Sequence, residues 1–325
     1  MFDCQKILIT GGTGSFGSNF AKFLLKNTQA DKIIIFSRDE YKQHQLEQEI
    51  ADVRLRLFLG DVRDLPRLQR ALSGVDIVIH AAALKQVPAL EYNPYEAIKT
   101  NVLGSQNVIE AALDQGVEKV LLISTDKAVQ PINLYGSTKL SAEKLFVAGN
   151  SYGVKKTLFS VVRYGNVFGS RGSIIETLQK NNGGKVKLTD PEMTRFWITL
   201  DQSFELVNFA LENMEGGEIF IPKIPSMKVI DLFEAIAPGA EKEIIGIRPG
   251  EKLHEILLTE DESRHAIELE KYLVILPEFH YFATGLYQKY HQTGKKLPSR
   301  FKFSSDSNPQ WLTPEQLREM LRNNH

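Results

Sequence analysis

Lys6-Ile7-Leu8-Ile9-Thr10-Gly11-Gly12-Thr13-Gly14-Ser15-Phe16-Gly17 is the stretch that decides the fold. A short apolar run passes straight into a glycine cluster, and Phe20 to Leu25 continues with apolar residues at helical spacing. The reading is strand, glycine turn, helix. Gly11, Gly14 and Gly17 have the spacing in which glycines permit a tight turn, a close approach of backbone to a pyrophosphate, and packing of helix on sheet. Thr13, Ser15 and Phe16 belong to the same expected cradle. The chain therefore opens on a dinucleotide site.

Working outward, Lys32-Ile33-Ile34-Ile35-Phe36 reads as the next strand and ends in Ser37-Arg38-Asp39-Glu40, with Lys42 just beyond. A cofactor 2′-phosphate calls for a cation and hydroxyl donors, which Ser37 and Arg38 supply; Asp39 would serve a bare ribose if the strand ended one residue later. NADP is favoured over NAD on this ground. A third strand, Leu55 to Leu59, leads to Gly60-Asp61-Val62, where Asp61 can meet an adenine edge or cap the helix beginning at Leu65. The fourth, Asp76 to His80, precedes Ala81-Ala82-Ala83, whose small side chains suit a cofactor lying on backbone. His80 reads as a satisfied strand-end histidine. Lys85, past the end of that strand, suits a phosphate or a substrate hydroxyl, against the alternative of a solvated lysine. Asn101, in a helix from about Pro94 to Gln115, reads first as structural.

A fifth apolar run, Val120 to Ile123, delivers Ser124-Thr125-Asp126-Lys127-Ala128, and Tyr135 and Lys139 follow on a helix. Positions i and i+4 share a helix face, so Lys139 can favour the ionised Tyr135 phenol, making it a base for a hydroxyl proton. Thr125 can bond the same hydroxyl. Strands alternate with helical segments throughout this half, and every motif falls at the carboxyl end of a strand, where doubly wound parallel sheets bind ligands.

A sixth strand, Phe159 to Arg163, runs into a glycine-rich loop in which Asn166 and Arg171 are substrate candidates and Val167 a cofactor contact. Leu200 to Met214 reads as a helix and Glu218 to Ile221 as a strand rejoining the sheet. Met193 to Trp197 is expected near the domain junction, its aromatics in the core. In the turn Ile247-Arg248-Pro249-Gly250-Glu251, Arg248 can pair with a diphosphate and Glu251 can accept from a ribose or sugar hydroxyl; a surface cap is the alternative. The expected fold is α/β, a doubly wound parallel sheet with a smaller mixed C-terminal domain. Residues 1–165 form the NADP-binding Rossmann-like part, a segment near 196–226 rejoins it, and 166–325 bind substrate.

The 39 basic and 40 acidic residues of the 325 leave no global charge for nucleic acid or an anionic membrane surface. A single cysteine, Cys4, excludes an intramolecular disulfide. No apolar run approaches the ~20 residues of a membrane span, and no ligand-spaced His or Cys set suggests a metal. The expectation is a soluble cytoplasmic protein.

These residues resemble the extended short-chain dehydrogenases/reductases. More closely, they resemble the inverting UDP-N-acetylglucosamine 4,6-dehydratases of pseudaminic acid biosynthesis. That resemblance is carried by residues 36–40, 124–128, 163–173, 193–197, 219–227, 246–255 and 304–311. It implies that Asp126 protonates the departing 6-hydroxyl, that Lys127 takes or returns the proton at carbon 5, and that Tyr135 removes the 4-hydroxyl proton. For Lys127 to act as a base, its pKa has to be lowered by burial or a nearby cation. The resemblance further implies UDP-N-acetylglucosamine as substrate, a tightly bound, recycled NADP, and a homo-oligomer. Two alternatives stand beside it: a UDP-hexose 4-epimerase, leaving Asp126 and Lys127 idle, and a non-catalytic NADP-sensing protein.

Overall fold

The computed structural model describes residues 2–152, 157–169, 174–179, 184–278 and 287–323. The first half alternates as read: β1 (Lys6–Thr10), α1 (Ser15–Asn27), β2 (Lys32–Ser37), α2 (Glu40–Glu49), β3 (Leu55–Leu59), α3 (Leu65–Ala71) and β4 (Ile77–His80). The helical passage that follows comprises α4 (Val87–Tyr92), α5 (Pro94–Ala97), a π-helical stretch at Ile98–Leu103, and α6 (Gly104–Gln115). Then come β5 (Lys119–Thr125), α7 (Leu134–Gly149) and β6 (Leu158–Tyr164).

The second half is built of shorter pieces. They are β7 (Asn166–Val167), α8 (Ile174–Gln179), β8 (Val186–Leu188), β9 (Thr194–Ile198), α9 (Leu200–Asn213), β10 (Ile219–Pro222), β11 (Ser226–Lys228), α10 (Val229–Ile236) and β12 (Lys242–Ile244). After them come β13 (Ile256–Leu258), α11 (Glu260–Ser263), β14 (Ala266–Glu268), β15 (Tyr272–Ile275), α12 (Gln288–Thr293), β16 (Lys295–Lys296), β17 (Phe303–Ser304) and α13 (Pro314–Asn323).

Ten strands form one sheet in the order β16-β14-β15-β10-β6-β5-β4-β1-β2-β3. From β3 to β10 all neighbours are parallel, and β15, β14 and β16 extend that edge antiparallel. The parallel strands are covered on both faces, so β1, β4 and β6 are nearly continuous apolar runs instead of alternating ones. Chain order reverses between β1 and β4, the topological switch point at which such sheets open a ligand crevice. The strand read at 218–221 does join this sheet beside β6, and so do β14 and β15, which carried no such signal.

A second, smaller core gathers Phe168, Met193, Trp197, Met227, Leu232, Phe233 and Leu317 around the three-stranded sheet β11-β9-β7. Phe196 and Trp197 are buried, as read, with Trp197 stacked on Phe168 at 4.9 Å. Helix starts follow local chemistry: Asp39 caps α2 through Lys42 N, Asn133 caps α7 through Gly136 N, and Thr199 with Gln202 forms a capping box on α9. Helix α3 departs from one reading. Its cap is Asp64, which accepts from Arg67 N, while Asp61 pairs with Arg63 instead. Asp64 stands directly before the first helical residue and so reaches the free amides of the first turn.

Candidate active site

The glycine turn lies between β1 and β4 at the switch point. Gly11 has φ +63°, and a β-carbon there would come within 2.7 Å of Ala82 Cα and 2.9 Å of Ala81 O. Gly17 likewise faces Gly12 Cα at 2.6 Å, which lets α1 sit down on the turn. Thr13 is buried in the turn and Ser15 opens α1, whereas Phe16 stacks on Phe20 at 5.3 Å and belongs to the aromatic core. This backbone cradle, heading a helix, fits a dinucleotide pyrophosphate.

Beyond β2, Ser37 is buried and its hydroxyl accepts from Gln43 Nε2. Arg38 is half-exposed, 3.5 Å from Asp61. Asp39 is spent on the start of α2, capping it and pairing with Lys42 at 2.8 Å. Glu40 is the first residue of α2, and buried Val62 packs under Gly104. Lys85 is exposed beyond β4. Asn101 holds that loop by bonding both the Leu84 amide and its carbonyl, as well as Thr138 Oγ1, in keeping with its structural reading. His80 bonds Thr10 Oγ1 at 2.7 Å and Ser105 Oγ at 3.1 Å, and burial holds its imidazole down at about 3.

Thr125, Asp126 and Lys127 leave β5 in a tight 3₁₀ turn against the start of α7. Asp126 is fully buried. Its Oδ1 accepts from Thr125 Oγ1 at 2.8 Å and from Lys127 Nζ at 2.9 Å, while Oδ2 has no hydrogen-bond donor among the described residues. Lys127 Nζ also lies 3.5 Å from Asn166 Oδ1 on β7 and 3.3 Å from Glu255 Oε1. Tyr135 bonds Thr125. The three residues 125–127, the tyrosine and Asn166 are thus brought together. Arg171 lies outside the described residues.

Two electrostatic findings differ from expectation. Buried Lys139 donates to the Ile123 carbonyl at 2.8 Å, and the cation acting on Tyr135 is Lys127. Burial brings Lys139 down to about 8, Glu143 opposing. Tyr135 is pushed up to about 12 by burial, against the pull of Lys127 and the Thr125 bond. For Lys127, burial works against the ammonium, but Asp126 and Glu255 outweigh it and the pKa is raised. The resting side chain is therefore an ammonium, held by its two carboxylate neighbours in the opposite direction to the lowering that a lysine base requires.

Glu255, Arg195 and Lys252 are the residues that sequence reasoning missed. Arg195 Nε lies 4.0 Å from Glu255 Oε1, and Lys252 Nζ lies 3.6 Å from Oε2 and donates to Val129 O at 2.6 Å. The loop that carries them is tied to α7, since Asn133 Nδ2 donates to Gly250 O at 2.7 Å. On the same loop Arg248 is exposed and 3.9 Å from Glu251, whose Oε2 is buried without a donor. Beneath the site, fully buried Arg163 pairs with Glu143 at 2.6 Å and Glu262 at 3.0 Å, and Glu143 receives Ser124 Oγ. Among the described residues no group of His, Cys, Asp and Glu is arranged to hold a metal, and no helix is long and apolar enough to cross a membrane.

A switch-point cradle beside a Thr-Asp-Lys turn and a Tyr-x-x-x-Lys helix places the protein in the extended short-chain dehydrogenase/reductase class. More narrowly, the chain belongs to the polysaccharide biosynthesis protein family, whose profile matches residues 7–277. It is 50% identical over 334 residues to an inverting UDP-N-acetylglucosamine 4,6-dehydratase of Campylobacter jejuni, covering 99% of this chain and 98% of the relative. It is 40% identical over 331 residues to a UDP-glucose 4-epimerase of Rickettsia massiliae, covering 99% and 96%. Among solved structures, Pen from Bacillus thuringiensis superposes with a TM-score of 0.90 at 37% identity, over 100% of this chain and 99% of that one. The dTDP-glucose 4,6-dehydratase DesIV of Streptomyces venezuelae, solved with NAD and TYD bound, gives 0.69 at 25% identity over 77% and 87%.

Proposed function

We propose that the protein is a UDP-N-acetylglucosamine 4,6-dehydratase that inverts carbon 5, gives UDP-2-acetamido-2,6-dideoxy-β-L-arabino-hex-4-ulose, and acts as the first step of pseudaminic acid biosynthesis. The observation that carries this reading is the adjacency of Asp126 and Lys127, with Nζ 2.9 Å from Oδ1, beside Thr125 and Tyr135. The 50% identity to the Campylobacter enzyme over almost the whole chain supports it. The enzyme is read as a hydro-lyase working in the cytoplasm as a homo-oligomer.

A nicotinamide held at the glycine turn supplies hydride acceptance at carbon 4 and hydride return at carbon 6. NADP is the form favoured, because Asp39 is engaged in capping α2 while Arg38 remains half-exposed. Tyr135 takes the 4-hydroxyl proton, with Thr125 bonded to it. One proton shift within the Lys127–Asp126 pair turns an ammonium and a carboxylate into an amine and a carboxylic acid. The amine then takes the carbon-5 proton, and the acid passes its proton to the departing 6-hydroxyl, releasing water; as hydride reaches carbon 6, a proton from solvent returns to carbon 5 on the opposite face, which inverts that centre. Lys85, Asn166, Arg171, Arg248 and Glu251 are assigned to the nucleotide sugar.

The second reading, a UDP-hexose 4-epimerase, is favoured by the 40% identity to the Rickettsia epimerase and by the resting charge on Lys127. Proton NMR of the protein with UDP-N-acetylglucosamine in deuterated water, with no hydride donor added, separates the two. A methyl signal with deuterium at an inverted carbon 5 is the expected result. A galacto epimer without a methyl group moves the assignment to the epimerase.

A further inference from the structure

We propose that Glu255 is a positioning residue of the reaction centre, one that holds the Lys127 amine on Asp126 and sets the pH above which the Lys127–Asp126 pair loses its shared proton. This deepens the dehydratase reading and rests on it for the role of Lys127.

The geometry begins with rigidity. Glu255 N donates to Ser305 Oγ at 2.9 Å, Ser305 N donates back to Glu255 O at 2.8 Å, and Ser305 Oγ lies 2.6 Å from Thr194 Oγ1. Two distant segments thus pin the backbone of Glu255, which is itself 2% exposed. The other cations near it stand farther off and also donate to carbonyls, with Arg195 Nε 4.0 Å and Lys252 Nζ 3.6 Å from the carboxylate. Arg195 Nη1 donates to the Thr194 and Leu253 carbonyls, and Lys252 Nζ to Val129 O. Glu255 Oε1 is left with Lys127 at 3.3 Å as its nearest cation, and Oε2 has no donor within hydrogen-bond distance.

From the side of Lys127, three acceptors surround Nζ: Asp126 Oδ1, Glu255 Oε1 and Asn166 Oδ1. An ammonium has three protons to place, whereas an amine has two and a lone pair. The arrangement therefore suits the charged form until one acceptor ceases to be an anion. Asp126 ceases to be one when it takes the proton it needs for the 6-hydroxyl. Glu255 does not touch that hydroxyl in this reading; it keeps Nζ in place during the exchange and opposes premature loss of the proton. The charged and titratable groups bearing on Lys127 are Asp126 on its own turn, Tyr135 on α7, Arg195 on β9, and Lys252 and Glu255 on the loop before β13.

The test uses the full-length, cofactor-loaded protein and two variants. Glu255→Gln keeps an oxygen for Nζ but removes the charge, so the falling, alkaline limb of the pH profile for water loss, where the Lys127–Asp126 pair loses its shared proton, should move down by about one pH unit or more. The KM for the nucleotide sugar should stay within about twofold. Glu255→Asp keeps the charge on a shorter stem and should retain the wild-type limb with a lower kcat, which also covers the case of a poorly folded Gln variant. Independently of turnover, NMR of ¹³C-labelled lysine, with Lys127→Ala to assign the signal, should show Lys127 titrating lower in Glu255→Gln than in wild type. An unchanged Lys127 titration in that variant overturns the proposal. A wild-type protein that makes no methyl product overturns the dehydratase reading and leaves this titration to be judged by itself.

Discussion

Gly136 at the start of α7 touches the carbonyl oxygen of Lys127 through backbone alone, and a β-carbon there would overlap that oxygen. The Thr125–Lys127 turn and the helix that carries Tyr135 are thereby seated on each other without a side chain between them. Gly136→Ala must push them apart. Overpacking of this kind costs about 1–3 kcal/mol of stability, and a displacement near 1 Å costs roughly 10²-fold in rate. Urea denaturation and the methyl-forming assay should show both effects with cofactor content unchanged; wild-type rates in the Ala variant would contradict the seating.

Lys127→Ala should stop water loss, lowering methyl formation by roughly 10²–10⁴-fold, the range of a lost general base. Cofactor binding should survive, because the glycine turn lies at β1 and Lys127 at the end of β5. Stopped-flow absorbance of reduced nicotinamide, read beside product NMR, checks this. Oxidation at carbon 4 is expected to persist in the variant, and unchanged product formation would remove Lys127 from the mechanism.

Acid should destabilise the protein through His80. Its folded pKa, about 3, lies below the ordinary 6.5, so the unfolded chain binds the proton more readily. Stability from this group is present above 6.5 and is lost as pH falls towards 3. The loss at pH 5 is on the order of 2 kcal/mol. Urea midpoints at pH 7.5 and 5 should differ accordingly, and His80→Gln should flatten that difference.

Arg38→Ala should weaken NADP by about tenfold or more while leaving NAD nearly untouched, as expected for a lost charge-assisted bond to a 2′-phosphate. Calorimetry with both cofactors measures it. Equal loss for both would return Arg38 to the surface.

What was legible in the chain was whatever a short window contains. The glycine spacing, the apolar strands β1 to β6, and the Tyr135–Lys139 interval on one helix are all local, and each was found where it was read. The glycine turn needs only its own residues and Ala81–Ala82 to be recognised. Glu255 was hidden because its meaning comes from Lys127, met across the fold, and because nothing near it in sequence distinguishes it from a surface acid after a turn. Residues 304–311 carry part of the resemblance, but their own chemistry suggests no role, for the same reason. Ser305 earns its place by pinning Glu255 and Thr194, and Asn308 by bonding the Ile224 carbonyl. The charge on Lys127 was not legible because it depends on two carboxylate neighbours, one of them Glu255, which only the fold brings to it.

The tether from Asn133 to Gly250 spans 117 positions, and that from Lys252 to Val129 spans 123. A chain still emerging from the ribosome has its glycine turn early but acquires these two ties, and the carboxylate beside them, only after most of its length has been made. The Thr125–Lys127 turn and the start of α7 are therefore locked in place by residues that are made far downstream of them.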